Sequence, residues 1–153
     1  MISIKFRNKD KSGNWINSSS ASESELRNEL RSYLSLKENW DGEGAKIPTQ
    51  ESVNDALKFL DNRPDNIPLP YPEEGFDGDA GLYWCNRKAQ VFAEVTFDGD
   101  NKFSFFAVHG TPKNIIEKYG EDGVDVHKRW PSNLLKILKK LPPTKPNFMP
   151  CNC

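Results

Sequence analysis

Four Asp-Gly dipeptides in this sequence carry carboxylates that could bind a metal ion. They are Asp41-Gly42, Asp77-Gly78, Asp98-Gly99 and Asp122-Gly123. Two belong to a repeated Phe-Asp-Gly-Asp tetrad, and paired carboxylates in turns suit a hard cation such as calcium. The candidate ligands of such a site are Asp77, Asp79, Asp98 and Asp100. No Glu closes an EF-hand loop after these dipeptides, and hairpin turns select Asp-Gly on conformational grounds alone. The pattern therefore favours turns over a metal site, and we predict no cofactor.

Proton-transfer residues are few. The chain has two histidines, His109 and His127. A nucleophile–base pair would need one of them beside Cys85 or a serine, and no nucleophile elbow surrounds either. If the protein is an enzyme, the candidate catalytic residues are Asp41, Glu94 and His109, whose side chains can carry protons. The absence of an assembled catalytic motif favours a non-enzymatic protein, with a carboxylate-based, metal-dependent enzyme as the alternative.

The charges are unevenly distributed along the chain. The 153 residues include 21 Lys+Arg and 22 Asp+Glu, for a net charge of −1. Residues 21–125 contain 11 basic and 21 acidic residues, whereas residues 126–153 contain six basic residues and no acid. An acidic body can attract a basic partner over long range. The near-neutral total thus conceals an acidic body with basic ends.

The basic C-terminal segment allows two interpretations. Its side chains could contact the phosphates of a nucleic acid. The residues that would do so are Lys128, Arg129, Lys136, Lys139 and Lys140. Alternatively, a Lys-bearing last helix docks on the acidic body of the same chain, which is the interpretation we favour.

Several features favour a cytoplasmic protein with no membrane contact. The N-terminus has no apolar signal region, and three cysteines form an odd set that cannot all pair internally. The longest apolar run is 105–108, far shorter than the roughly 20 residues that a bilayer span requires. We therefore expect reduced thiols and a cytoplasmic location.

Hydrophobic spacing predicts two helices before any strand in the main body. The first begins near Ser22 or Ser24, and its apolar stripe includes Leu26, Leu30, Tyr33, Leu34 and Trp40. Thr49 is the predicted N-cap of a second helix that ends at about Leu60. The segment 67–72 has proline at every second position, which predicts an extended strap.

The middle of the chain has the pattern of an antiparallel meander. Its predicted strands are Gly81–Trp84, Ala89–Phe97 and Lys102–Val108, with a hairpin turn at Asp98–Asn101. Alternation in the second strand places Phe92, Glu94 and Thr96 on one face. We expect Gly110–Asp125 to be a loop with a short helical piece at Asn114–Tyr119. A last helix, Asn133–Leu141, is capped by Ser132.

These elements predict an α+β fold, in which a three- to four-stranded antiparallel meander packs against two or three helices. The predicted organisation is an N-terminal edge strand and loop over residues 1–20, one domain over 21–141, and a Pro-rich tail over 142–153.

The segment Leu36–Pro48 contains Leu-Lys-Glu-Asn-Trp-Asp-Gly-Glu-Gly-Ala. It resembles a motif of a widespread group of small, uncharacterised bacterial and mobile-element proteins. In that group, Leu-x-x-x-Trp-Asp-Gly-x-Gly-Ala precedes a helix, a Pro-rich extended segment and a hairpin. The resemblance covers roughly residues 26–108. It implies an architecture and a mobile-genome setting but no reaction.

The sequence thus leads to a functional hypothesis of a non-enzymatic interaction factor of the antitoxin, immunity or counter-defence type. Its partner is expected to be a protein. The candidate binding residues are Trp40, Asp41, Glu43, Trp84, Glu94 and Trp130.

Overall fold

The structure is a computed structural model that describes residues 23–142. The predicted edge strand within residues 1–20, the predicted tail beyond residue 142, Cys151 and Cys153 lie outside the described residues. The helices are α1 (Glu23–Ser32), α2 (Gln50–Asp61) and α3 (Ser132–Leu138). The strands are β1 (Tyr71–Glu74), β2 (Ala80–Asn86), β3 (Val91–Phe97), β4 (Lys102–Thr111) and β5 (Asn114–Asp125).

The five strands form one antiparallel sheet in the order β1-β2-β3-β4-β5. This confirms the predicted α+β class, with five strands where three to four were expected. The end of the predicted Pro-rich strap is strand β1, which lies at the edge of the described sheet. An edge strand tolerates Pro72, which lacks the N–H that a central strand needs.

One face of the sheet carries the hydrophobic core. Along β3, Val91, Ala93, Val95 and Phe97 are buried, and the alternate residues are only partly buried. The three helices contact the sheet, and their apolar side chains complete the same buried cluster. We refer to the face that carries Glu94 as the outer face, because it lies away from this core.

Two tryptophans lie in this core. The ring of Trp130 stacks on Phe59, with centroids 4.2 Å apart, and its Nε1 donates to the Phe59 carbonyl over 2.8 Å. The indole of Trp84 donates to the Pro68 carbonyl over 2.8 Å. Their exposed fractions are 0% for Trp84 and 3% for Trp130. The structure therefore places these two candidate binding residues inside the protein, where a partner cannot reach their rings.

The helix ends differ in detail from the prediction. The first helix stops at Ser32 and continues as one 3₁₀ turn, Tyr33–Ser35, so Trp40 lies in a loop beyond it. Thr49 caps α2 as predicted, because its side chain accepts from the N–H of Ser52. Ser132, in contrast, is the first residue of α3 and Pro131 occupies the cap position.

The prediction for 110–125 was wrong. Strand β4 continues to Thr111, and after a two-residue turn the chain returns as β5, where a loop with a helical piece was expected. Most of β5 is exposed on both faces. A strand without a buried face does not show the polar–apolar alternation by which strands are identified.

Among the described residues, no helix has the length and apolar composition needed to cross a bilayer. Cys85 is the one cysteine in this part of the chain, and it is buried in β2.

Candidate functional site

The N-terminus of α2 holds two of the Asp-Gly turns in place. The N–H of Thr49 and the hydroxyl of Ser52 both donate to the carbonyl of Gly78, over 2.8 and 3.0 Å. Gly99 lies against the same helix end at a φ of 93°, and a Cβ there would be 2.9 Å from the Cβ of Glu51. A side chain at Gly99 would therefore push the β3–β4 turn away from α2.

The Trp-Asp-Gly loop is organised by its own side chains. The Oδ1 atom of Asp41 accepts from the N–H groups of Glu43 and Ala45, over 2.8 and 3.1 Å. These hydrogen bonds hold the pKa of Asp41 below its usual value. Gly42 and Gly44 adopt positive φ angles of 77° and 87°, which the two tight bends require. The Asp41 carboxylate is thus engaged in shaping the loop.

This loop docks on the first Phe-Asp-Gly-Asp tetrad. The ring of Trp40 stacks on Phe76, with centroids 6.1 Å apart and planes within 6° of parallel. Lys46 donates its N–H to the Phe76 carbonyl over 2.8 Å and forms a β-bridge with Asp77. The Trp40 Nε1 donates to the Lys46 carbonyl over 3.1 Å. The two motifs therefore form one surface feature.

An acidic cleft of about 430 Å³ opens beside this stack on the outer face of the sheet. We call it the acidic cleft. It is lined by Glu73, Glu74, Gly75, Phe76, Asp77, Asp79, Gly81, Glu94 and Thr96. Five of these nine residues are acidic and none is basic, so the cleft favours a positively charged occupant.

The carboxyls of Glu73 and Glu94 meet across strand β2. Glu73 on β1 is opposite Gly81 on β2, which is in turn opposite Thr96 on β3. A Cβ at Gly81 would lie 3.0 Å from Cγ of Glu73 and 3.1 Å from its Oε1. Because Gly81 has no side chain, Glu73 extends over β2 on the same face of the sheet as Glu94.

The pKa values in the cleft reflect this crowding. Burial, the hydrogen bond with Glu94 and the charges of Glu94, Glu74 and Asp79 raise the pKa of Glu73 to about 9. Burial and the charges of Asp98 and Asp77 raise the pKa of Asp79. At neutral pH the Glu73–Glu94 pair therefore retains a proton that a competing cation could displace.

The three candidate catalytic residues do not come together. Glu94 lies on the outer face, while His109 is opposite Val91 and so shares the core face. The carboxylate of Asp41 is occupied by backbone N–H groups of its loop. The sheet thus separates Glu94 from His109, and this set cannot act on one reacting group.

The four candidate metal ligands are only partly assembled. Asp77 and Asp79 line the cleft, and Asp98 is close enough to Asp79 to raise its pKa. Asp100 instead accepts from the N–H of Lys102 within its own turn. Between residues 23 and 142 there is no group of three or more His, Cys, Asp or Glu side chains arranged to hold a metal ion.

The basic C-terminal helix docks on the body of the protein. Lys136 and Lys140 of α3 reach the two carboxylate oxygens of Glu117 on β5, over 3.0 and 3.2 Å. The hydroxyl of Tyr119 donates to Glu117 and accepts from Lys136. These contacts lower the pKa of Glu117 to about 2. Lys128, Arg129 and Lys139 remain exposed.

Of the five acids that line the cleft, sequence reasoning identified Asp77, Asp79 and Glu94 and missed Glu73 and Glu74. Glu73 directly follows the Pro-rich segment, and Phe76 belongs to the repeated tetrad. The available signal was the position of Gly81 at the start of a strand, because a strand glycine often marks a close approach by a neighbouring group. Of the candidate binding residues, Glu94 lines the cleft and Trp40 stacks on its Phe76 wall. Glu43 is exposed on the adjoining loop.

No family model, curated protein or solved structure matches this chain.

Proposed function

We propose that this chain is a non-enzymatic protein-interaction factor of a bacterial or mobile-element system, of the antitoxin, immunity or counter-defence type. Its acidic cleft receives a lysine or arginine side chain of a basic protein partner. The observation that carries the proposal is the concave, carboxylate-lined cleft with Phe76 as its aromatic wall. The mobile-element setting rests on the motif at Leu36–Pro48.

The chemistry of the cleft matches the two halves of a basic side chain. Lys and Arg have an apolar stem and a charged head. The stem would lie along the exposed ring of Phe76, which is supported from behind by Trp40. The head would meet the carboxylates of Asp79 and Glu94. A cation near an aromatic face adds a further attraction.

The Glu73–Glu94 pair makes this binding dependent on pH. Glu73 holds a proton in the free protein, because its pKa is raised to about 9. An incoming cation stabilises the ionised form and so releases that proton. The affinity of the cleft for a basic group is therefore expected to rise between about pH 6 and about pH 9.

A variant with a neutral cleft tests the proposal. We expect a fluorescent Lys/Arg-rich peptide to bind the wild type, and binding to weaken in about 0.5 M salt. The cleft variant replaces three acids by amides of the same shape: Asp77→Asn, Asp79→Asn and Glu94→Gln. We expect it to lose about ten-fold or more in affinity, measured by fluorescence anisotropy.

The matched control removes the same charge from exposed acids elsewhere. It combines Glu38→Gln, Asp65→Asn and Glu121→Gln, all exposed in the structure. Equal losses in both variants would mean that only net charge matters, and the cleft assignment would fail. A lysate pull-down with wild type and cleft variant then separates partners that depend on the cleft from those that do not.

The Glu73–Glu94 pair also supports a second candidate, an enzyme that uses a protonated carboxyl as a general acid. Hydrolysis of a model ester that Glu73→Gln abolishes, without loss of peptide binding, would favour an enzyme over a binding protein.

The cytoplasmic location is part of the proposal.

A further inference from the structure

Strand β5 is an exposed sheet edge in the described part of the chain. It runs for 12 residues, Asn114–Asp125, and pairs with β4 on one side only. β3 pairs with β4 only as far as His109, so the tip of the β4–β5 hairpin extends beyond β3. Unpaired backbone groups along such an edge can accept another strand.

Apolar side chains are concentrated around this edge. The large hydrophobic residues that are exposed among residues 23–142 are Phe76, Phe106, Ile115 and Ile116. Three of these four belong to the β4–β5 hairpin. Ile115 and Ile116 are 50% and 56% exposed, and they are adjacent on the edge strand itself. This cluster favours contact with a second protein surface over permanent exposure to water.

When the β5 strands of two copies pair antiparallel, one register brings opposite charges together as ion pairs. In a symmetric antiparallel pair, the two-fold axis passes through one residue position, and residues equally far from it on either side face each other. Axes at Glu117, Lys118 or Glu121 place a charged residue opposite its own copy. An axis at Tyr119 places Glu117 opposite Glu121. An axis at Gly120 places Lys118 of each copy opposite Asp122 of the other.

The Gly120 register also fits the local geometry. Lys118 is opposite Val108 and Gly120 is opposite Phe106 on β4, so both lie on the outer face. Asp122 comes two residues after Gly120 and lies within the irregularity of the β4–β5 pairing, between Glu121 opposite Phe105 and Val124 opposite Phe103. A register centred on Ile116 also avoids like charges, but it places Lys118 opposite Asn114 and forms no ion pair.

We propose that this protein forms a symmetric dimer in which the β5 edges of two copies pair antiparallel about Gly120. The paired edges produce a continuous sheet of ten strands, twice the five strands of one copy. The acidic cleft lies beside β1, at the opposite edge of the sheet from β5, so each copy keeps its cleft open.

Charge reversal tests both the dimer and its register. Sedimentation equilibrium of the full chain from about 1 μM to about 1 mM measures the dimer dissociation constant. We expect Lys118→Glu and Asp122→Lys each to raise it by about ten-fold, because each creates two like-charge pairs. The double variant Lys118→Glu/Asp122→Lys restores the two ion pairs and is expected to return within about three-fold of the wild type.

Two control variants make the same charge changes away from the edge. They are Lys139→Glu and Asp65→Lys, both at exposed positions. A wild-type chain that stays monomeric at every concentration would overturn the proposal. So would a dimer that the control variants weaken as much as the β5 variants do, or one that the double variant fails to restore. Circular dichroism checks that every variant is folded.

Discussion

The Glu73 carboxyl reaches Glu94 because the residue between them in space, Gly81, has no side chain. Burial and the neighbouring charges of Glu94, Glu74 and Asp79 make ionisation of Glu73 costly, so Glu73 holds its proton. The ordinary pKa of Glu73 is 4.5 and the folded value is about 9. Between these values, the folded chain binds a proton that the unfolded chain has released.

This difference predicts how stability depends on pH. The contribution of Glu73 is complete below about pH 4.5 and falls as pH rises toward 9, because over this range the unfolded chain releases the proton that the folded chain keeps. The slope from one proton is at most about 1.4 kcal/mol per pH unit. We expect Glu73→Gln to flatten it, so that the variant becomes more stable than the wild type at alkaline pH.

Urea denaturation at several pH values measures how the free energy of unfolding depends on pH in the wild type and in Glu73→Gln. Glu121→Gln is the control, because Glu121 is exposed and its loss should leave the wild-type slope unchanged. Parallel curves for wild type and Glu73→Gln would show that Glu73 ionises normally in the folded protein.

At the scale of elements, α2 determines where the cleft forms. Its N-terminus holds the carbonyl of Gly78, and farther along it the buried Asp55 accepts from the N–H of Asn101 over 2.8 Å. Asp55 is 3% exposed. One helix thus fixes both turns that carry the Phe-Asp-Gly-Asp tetrads, and with them the relative positions of Asp79 and Asp98.

Removal of the Asp55 carboxylate should loosen the β3–β4 turn. We expect Asp55→Ala to lower the free energy of unfolding by about 2 kcal/mol, because it leaves a partly buried N–H without an acceptor. Asp55→Asn keeps an oxygen acceptor and should cost less. Asn54→Ala, at the exposed neighbouring position, should change stability by less than about 0.5 kcal/mol. If Asp55→Ala and Asn54→Ala have equal effects in urea denaturation, the hydrogen bond does not hold the turn.

The sequence predicted the elements whose burial leaves a periodic pattern. Thr49 and the apolar spacing to Leu60 identified α2, and alternation from Val91 to Phe97 identified β3 and its inner face. Strand β5 was missed because neither of its faces is well buried. The Glu73–Glu94 pair was missed because it depends on strand register across β2, and local patterns do not encode register.

At the scale of the whole molecule, the near-neutral total charge results partly from pairing inside the chain. The acidic body and the basic C-terminal segment meet where Lys136 and Lys140 contact Glu117. This geometry agrees with the interpretation that the last helix docks on the body of its own chain. It also leaves fewer lysines to contact phosphates than the sequence suggested, which weakens the hypothesis of a nucleic-acid-binding protein.

Loss of Glu117 should make these two lysines available to nucleic acid. We expect Glu117→Gln to bind a labelled DNA duplex more tightly than the wild type. We also expect the slope of log K against log salt to steepen by about one to two, since each added phosphate contact releases nearly one counterion. Fluorescence anisotropy at several salt concentrations measures both quantities. Glu121→Gln is the matched control, because it removes the same charge from the same strand at an exposed position. If the two variants gain equally, the gain comes from net charge alone, and Glu117 does not restrain the lysines of α3.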